Sequence, residues 1–417
     1  MAADCGAPRR DAEVIGLVGV AHGTSHFFHL LLPPLFPWLI AEFGLSYTEL
    51  GFLMTVFFVV SGVGQALAGF IVDRFGARPV LFFGIATLAG AGLVLAASSG
   101  YAGLIVAAAV AGLGNSIFHP ADFTLLNRRV ATPRLGHAFA VHSLAGNLGW
   151  AAAPVFMAGL AALTDWRVAA LAAGGVGLAV LLLLFARRDA LDDRGAGRAL
   201  GLHAASDSAG AARFGFLRSG AVWMCFVFFF FATGAFGVLQ SYAPAVLGNV
   251  YGLPLALATA SLTAYLLGGA GGTIVGGFIA ARTERNAGVI VAALGASASL
   301  ALLLASGFAP ATAVVGLMAA MGFGVGIATP SRDLLVRKAV LTQFGKSALG
   351  RAYGFVYSGL DIGLAVTPLL FGPLLDRGHF GYALVGVAVL QTAALLSAAR
   401  VEHGARRSSP APGTAAL

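Results

Sequence analysis

Gly69-Phe-Ile-Val-Asp73-Arg74-Phe75-Gly76-Ala77-Arg78 is the stretch on which the fold turns. It is a charged break where one long apolar run, 48–72, gives way to the next, 79–98. Gly76 has no Cβ and suits a tight reversal, and Asp73 is placed to cap or face a helix end. Much further along, Gly277-Phe-Ile-Ala-Ala281-Arg282 repeats the opening of the motif at the end of another apolar run, with alanine in place of the acid. Short basic turns between long apolar runs are the pattern of membrane helices, and their recurrence points to an internal duplication.

Working outward, the remaining sequence divides in the same way. Of the 417 residues 59% are hydrophobic and only 10% charged, and the mean hydropathy is +0.89. A soluble chain of this length needs far more charged surface. Apolar segments fall near 14–39, 48–72, 79–98, 102–127, 137–163, 167–186, 219–247, 255–281, 287–306, 311–336, 350–374 and 382–399. Each is expected to be a single helix, because only a helix satisfies its own backbone in lipid outside a closed barrel. The fold expected is therefore an all-α integral membrane protein, with twelve transmembrane helices in two pseudo-symmetric six-helix bundles. The bundles are 1–186 and 219–399, joined by a Gly/Ala/Arg/Asp-rich linker, 187–218, and followed by a tail, 400–417.

The net charge of +8 invites a nucleic-acid reading, but the basic residues sit in the short loops. Of the 25 Lys and Arg, Arg167 and Arg377 flank one side of the membrane, Arg332 lies within a helix, and the rest fall on the other side. That bias places both termini and the linker in the cytoplasm, in a multi-pass inner-membrane protein without a nucleic-acid partner. His22, His26 and His29 interrupt the first apolar run, and no clear cleavage site follows, so it reads as a spanning helix and not as a signal peptide. Cys5 and Cys225 build neither a disulfide framework nor a metal site.

Two more pairs mark the duplication. Gly112, Gly114 and Pro120 recur as Gly322, Gly324 and Pro330, and Asn147, Gly149 and Pro154 as Asp361, Gly363 and Pro368. Parallel six-helix repeats are an architecture in which a solute sits between the halves near the midplane.

The loop Gly69-x-x-x-Asp73-Arg74-x-Gly76-x-Arg78 resembles the signature of the major facilitator superfamily. The resemblance implies that Asp73, Arg74, Gly76 and Arg78 belong to a cytoplasmic latch that controls the conformational switch. Over the first five segments, Gly114-Asn-Ser-Ile-Phe-His119-Pro120 and Gly146-Asn147-Leu-Gly149 are similar to the fosmidomycin-resistance branch. That similarity implies export of a small anionic or drug-like compound against a proton gradient. The antiporter motif of the fifth segment would place proline after Gly149, where this chain has Trp150, and import of a small organic anion is the alternative.

A charge at the bilayer centre costs roughly 2.5–3.5 kcal/mol, so polar groups there need a reason. His22, His26 and His29 stand at i, i+4 and i+7 on one face of the first helix. Counting along the helices puts His26, Asn115, Asn147 and Asp361 near the midplane, with Tyr353 and Tyr357 on the face of Asp361. The resemblance adds that the first, fourth, seventh and tenth helices line the cavity, beside the fifth and eleventh. Asp122 and Arg332 each follow their matched proline by two residues, so the repeat sets opposite charges at equivalent positions. They are placed to pair across the cavity floor near His119, His142 and Asp333, as an inner gate or as an anion site that frees Asp122 for a proton. Asp361 has no obvious basic partner and is the best proton carrier. No G-x-x-x-x-G-K-[ST], H-E-x-x-H or G-x-S-x-G occurs, which speaks against an ATP motor, a metal or other cofactor, and an enzyme. The expected partners are a small solute, protons and the lipid bilayer, with the chain acting as a monomer.

Overall fold

The structure, a computed structural model, describes residues 6–193, 218–344 and 349–408. The linker residues 194–217, Cys5, Lys346 and the tail beyond 408 lie outside the described residues. Twelve segments are long and apolar enough to cross a membrane, and among the described residues there is no strand. Two spans that read as single helices are broken. The first consists of α1 (Gly6–His29), a 3₁₀ turn at Pro33–Leu35 and α2 (Phe36–Phe43). The cause is Pro33, Pro34 and Pro37: proline cannot donate to the helix ladder, and the amides of Leu30 and Leu31 bond three residues back, to Phe27 and Phe28. The second span is α3 (Tyr47–Phe75) and the third α4 (Ala77–Ala96). The fourth is split into α5 (Tyr101–Asn115) and α6 (Phe118–Arg129), leaving Pro120 in the first turn of α6, where a missing N–H costs nothing.

Then follow α7 (Leu135–Leu163), α8 (Trp166–Ala186), α9 (Gly220–Tyr251), α10 (Leu255–Ala280), α11 (Asn286–Ala305), α12 (Val314–Phe344), α13 (Leu349–Asp376) and α14 (Phe380–Ser408). The tail expected from residue 400 thus begins as a continuation of α14. Helices α1–α8 pack mainly on one another, as do α9–α14, and the two groups meet chiefly along α3 with α13 and α7 with α10.

Lipid provides no hydrophobic drive between helices, so small residues that allow close approach decide which surfaces meet. A Cβ on Gly149 would run into the carbonyl oxygen of Gly23, which brings α7 onto α1. The Tyr242 hydroxyl donates across the seam to the carbonyl of Tyr47 at 3.0 Å and, within its own group, to that of Pro368 at 2.9 Å. The amides of Tyr47 and Thr48 donate to Asp376 at 2.6 and 3.1 Å, and a Cβ on Gly372 would lie 2.7 Å from the Thr48 Cα. These contacts close the seam at the end of the bundle remote from the chain termini.

Candidate functional site

Gly146 on α7 makes the room in which the site is built. A Cβ there would stand 2.6 Å from His26 Nδ1 and 3.1 Å from His22 Nε2. His22 on α1, Asp122 on α6 and His142 on α7 are all buried. Asp122 Oδ2 accepts from His22 Nδ1 and from His142 Nε2, each at 3.1 Å. The two imidazoles stack with centroids 3.5 Å apart. His26 lies flat against Trp150 at 4.1 Å, and Trp150 reaches Phe236 of the second group at 4.9 Å. His29 Nε2 donates to Asn115 Oδ1 at 2.9 Å, and Asn115 Nδ2 donates to Ser61 Oγ at 2.8 Å.

A second line of bonds leaves this cluster for the other group of helices. His119, accessible to solvent, donates through Nδ1 to Gln65 Oε1 at 2.8 Å. Gln65 Nε2 reaches Asp361 Oδ2 on α13 at 3.5 Å. Gly62, one turn away on α3, lets Asp361 approach, since a Cβ there would be only 3.2 Å from the Asp361 Cβ. Gln65, Ser61 and Trp150 were missed by sequence reasoning, although a glutamine in an apolar run carries the same signal as Asn115.

The pair anticipated between Asp122 and Arg332 is not made. Arg332 Nε donates to its neighbour Asp333 at 2.9 Å, and its guanidinium covers the Phe229 ring at 4.6 Å. Each is engaged elsewhere: Asp122, just after the break before α6, bonds the two histidines, whereas α12 continues unbroken through Pro330 and leaves Arg332 to Asp333. Tyr357 stacks obliquely on the same Phe229 at 4.8 Å, and the Tyr353 side chain lies outside the described ones. Asn147 is half-buried on α7 and, among the described residues, makes no side-chain hydrogen bond.

At the signature loop, Gly76 adopts φ +88° and links α3 to α4. The helix end is capped by a different acid from the one expected. Asp193 accepts from the Ala77 amide at 3.0 Å and from Arg128 at 2.9 Å. Arg78 donates to the Arg188 carbonyl at 3.2 Å and pairs with Asp192 at 3.6 Å. Asp73 and Arg74 are exposed, and among the described residues Asp73 has no bonded partner. Asp193 stands far from the loop in sequence, which hid it.

A family model described as Major Facilitator Superfamily matches residues 18–340. The chain belongs to the Major Facilitator Superfamily. It is thus a multi-pass member of a family of small-solute transporters. Over 151 residues it is 26% identical to the fosmidomycin resistance protein of Escherichia coli, a match that covers 36% of this chain and 37% of that protein. The matched stretch is thus little more than a third of that relative. The membrane sensor protein UhpC of Escherichia coli is 26% identical over 392 residues, 86% of this chain and 85% of that protein. Among solved structures, a mutant of the nucleoside transporter NupG shares the fold, with a TM-score of 0.75 at 10% identity over 93% of this chain and 99% of that one.

Proposed function

We propose that this superfamily member exports a small anionic or drug-like solute in exchange for protons, by alternating access between halves 1–186 and 219–399. The observation that carries the reading is the bonded line His119–Gln65–Asp361, because it crosses the seam between α3 and α13. A proton on Asp361 changes what Gln65 can bond, and so changes the relative stability of states that make or break this seam. His22, His26, His29, Asn115, Asn147 and Tyr357 supply polar lining. Arg332, not engaged with Asp122, supplies the positive charge for an anion.

The bias of the basic loops supports an orientation with the termini and the linker on the cytoplasmic side of an inner membrane. With that orientation, the closed seam at Tyr47, Tyr242 and Asp376 faces outward. The exposed loop at Asp73, Arg74, Gly76 and Arg78 is then a latch that engages when the inner mouth shuts. The monomer is the working unit. Export is favoured by the likeness to a fosmidomycin resistance protein. Trp150 in place of the antiporter proline favours the second reading, uptake of a small organic anion.

Proteoliposomes loaded with a pH indicator and challenged with fosmidomycin and other small anions test the proposal. Solute-dependent proton movement opposite to solute flux is expected, and Asp361→Asn should lower it by roughly fivefold to a hundredfold. Proton movement in the same direction as the solute establishes uptake by symport. Solute flux without protons sinks the coupling, and solute binding without any flux makes the chain a sensor.

A further inference from the structure

The buried set His22, Asp122 and His142 is bonded in a way that leaves chemistry unused. Asp122 is fully buried, yet both histidines bond the same oxygen, Oδ2, while Oδ1 is buried without a partner. Among the described residues no arginine or lysine pairs with this carboxyl group; its ion partners are the two imidazoles. A buried carboxylate without a full cationic partner is costly, and a buried oxygen without a bond needs an account, for which a bound ion is one. The three ligand atoms come from three different helices and lie within 4.8 Å of one another. The two nitrogens stand 3.1 Å from Oδ2. Ligand atoms about 2.0–2.1 Å from one tetrahedral zinc ion are themselves about 3.4 Å apart, so each nitrogen-to-oxygen distance need open by only a few tenths of an ångström. His22 also belongs to a second set with His26 and His119, again within 4.8 Å, and His26 Nδ1 is buried with no partner.

We propose that His22, Asp122 and His142 form a binding site for a borderline divalent transition-metal ion, Zn²⁺ or Co²⁺, with a fourth position left open. Two imidazoles and a carboxylate are a donor set for such ions and a poor one for Mg²⁺ or Ca²⁺, which take oxygen ligands. The spacing of the residues along the chain conceals the site, because α1, α6 and α7 meet only in the folded bundle. The inference is independent of solute and of transport direction.

The test uses the full chain in detergent micelles, stripped with a chelator and titrated with CoCl₂. Expected are a visible absorption band of four- or five-coordinate cobalt and one tightly bound ion per chain, displaced by ZnCl₂. His142→Gln and Asp122→Asn should each weaken binding by about tenfold or more. The double change of exposed His137→Gln and His379→Gln should leave it unaltered, since those residues offer adventitious surface ligands. X-ray absorption of the zinc-loaded wild type needs no variant and should show nitrogen and oxygen neighbours with the scattering of two imidazoles. Absence of the cobalt band, its survival in both site variants, or a zinc shell without imidazole would overturn the site.

Discussion

Gly114 in the fourth span and Gly324 in the tenth do the same work: a Cβ on Gly114 would stand 2.9 Å from the Leu88 amide nitrogen, and one on Gly324 2.9 Å from the Ala293 carbonyl oxygen. Their companions Gly112 and Gly322 each press onto a neighbouring backbone as well, at the carbonyls of Phe57 and Tyr265. Past these glycines the two spans part. The fourth breaks before Pro120 and turns Asp122 into a buried bed of histidines, whereas α12 passes through Pro330 and leaves Arg332 half-buried on Phe229. Backbone contact tolerates no added atom, so duplication kept the glycines. Side chains two residues past the prolines were free to take opposite charges and different partners.

The largest expected effect tests the shared scaffold. Gly112→Val and Gly322→Val should each cost about 3 kcal/mol or more, because backbone cannot retreat as a side chain can. Loss of monodisperse protein in size-exclusion chromatography reads this directly. Tolerance of either variant would break the equivalence of the two spans.

Next come the charges. Asp122→Asn should destabilise by about 1–3 kcal/mol, since both imidazole donors lose a charged acceptor, and thermal unfolding in detergent measures it. Arg332→Gln should lose only about 1 kcal/mol from its aromatic contact. Its main effect is expected on function, with the anion concentration for half-maximal flux raised about tenfold. Equal stability losses from the two variants would erase the contrast between a buried acid bonded to two histidines and a half-buried base on an aromatic ring.

A smaller effect sharpens the comparison at the signature loop. Asp193→Asn should cost about 1–3 kcal/mol, for it loses strength with both Arg128 and the α4 amide. Asp73→Asn should leave the melting temperature unchanged while altering transport. If Asp73→Asn destabilised and Asp193→Asn did not, the cap would belong to Asp73. Smallest of all is Thr48→Ala at the closed seam, with an exposed hydroxyl bond to Asp376 worth about 1 kcal/mol or less. Its effect should show in cysteine cross-linking across that end, and not in melting.

The twelve spans and the repeat were legible because each span is a local property. Around twenty apolar residues specify a membrane helix whatever its neighbours do. Breaks were not legible: Pro33, Pro34 and Pro37 interrupt the first span, which was expected to be one helix, whereas Pro154 and Pro330 lie within unbroken helices, and only packing separates the cases. Of the site, His22, His26 and His29 could be placed on one face by period alone. Their bond partners could not, since Asp122 lies 100 residues from His22 and Gln65 lies 296 from Asp361.

By itself, then, the amino-acid sequence determined the helical class, the number of spans, the twofold repeat and the roster of costly polar residues, because insertion into lipid is decided segment by segment. The tertiary structure alone decided which of those residues meet. It gave Asp122 to His22 and His142 in place of Arg332, put Asp193 at the cap in place of Asp73, and closed one end of the seam. Those choices depend on how closely helices approach, and that is set by glycine contacts between segments distant in the chain.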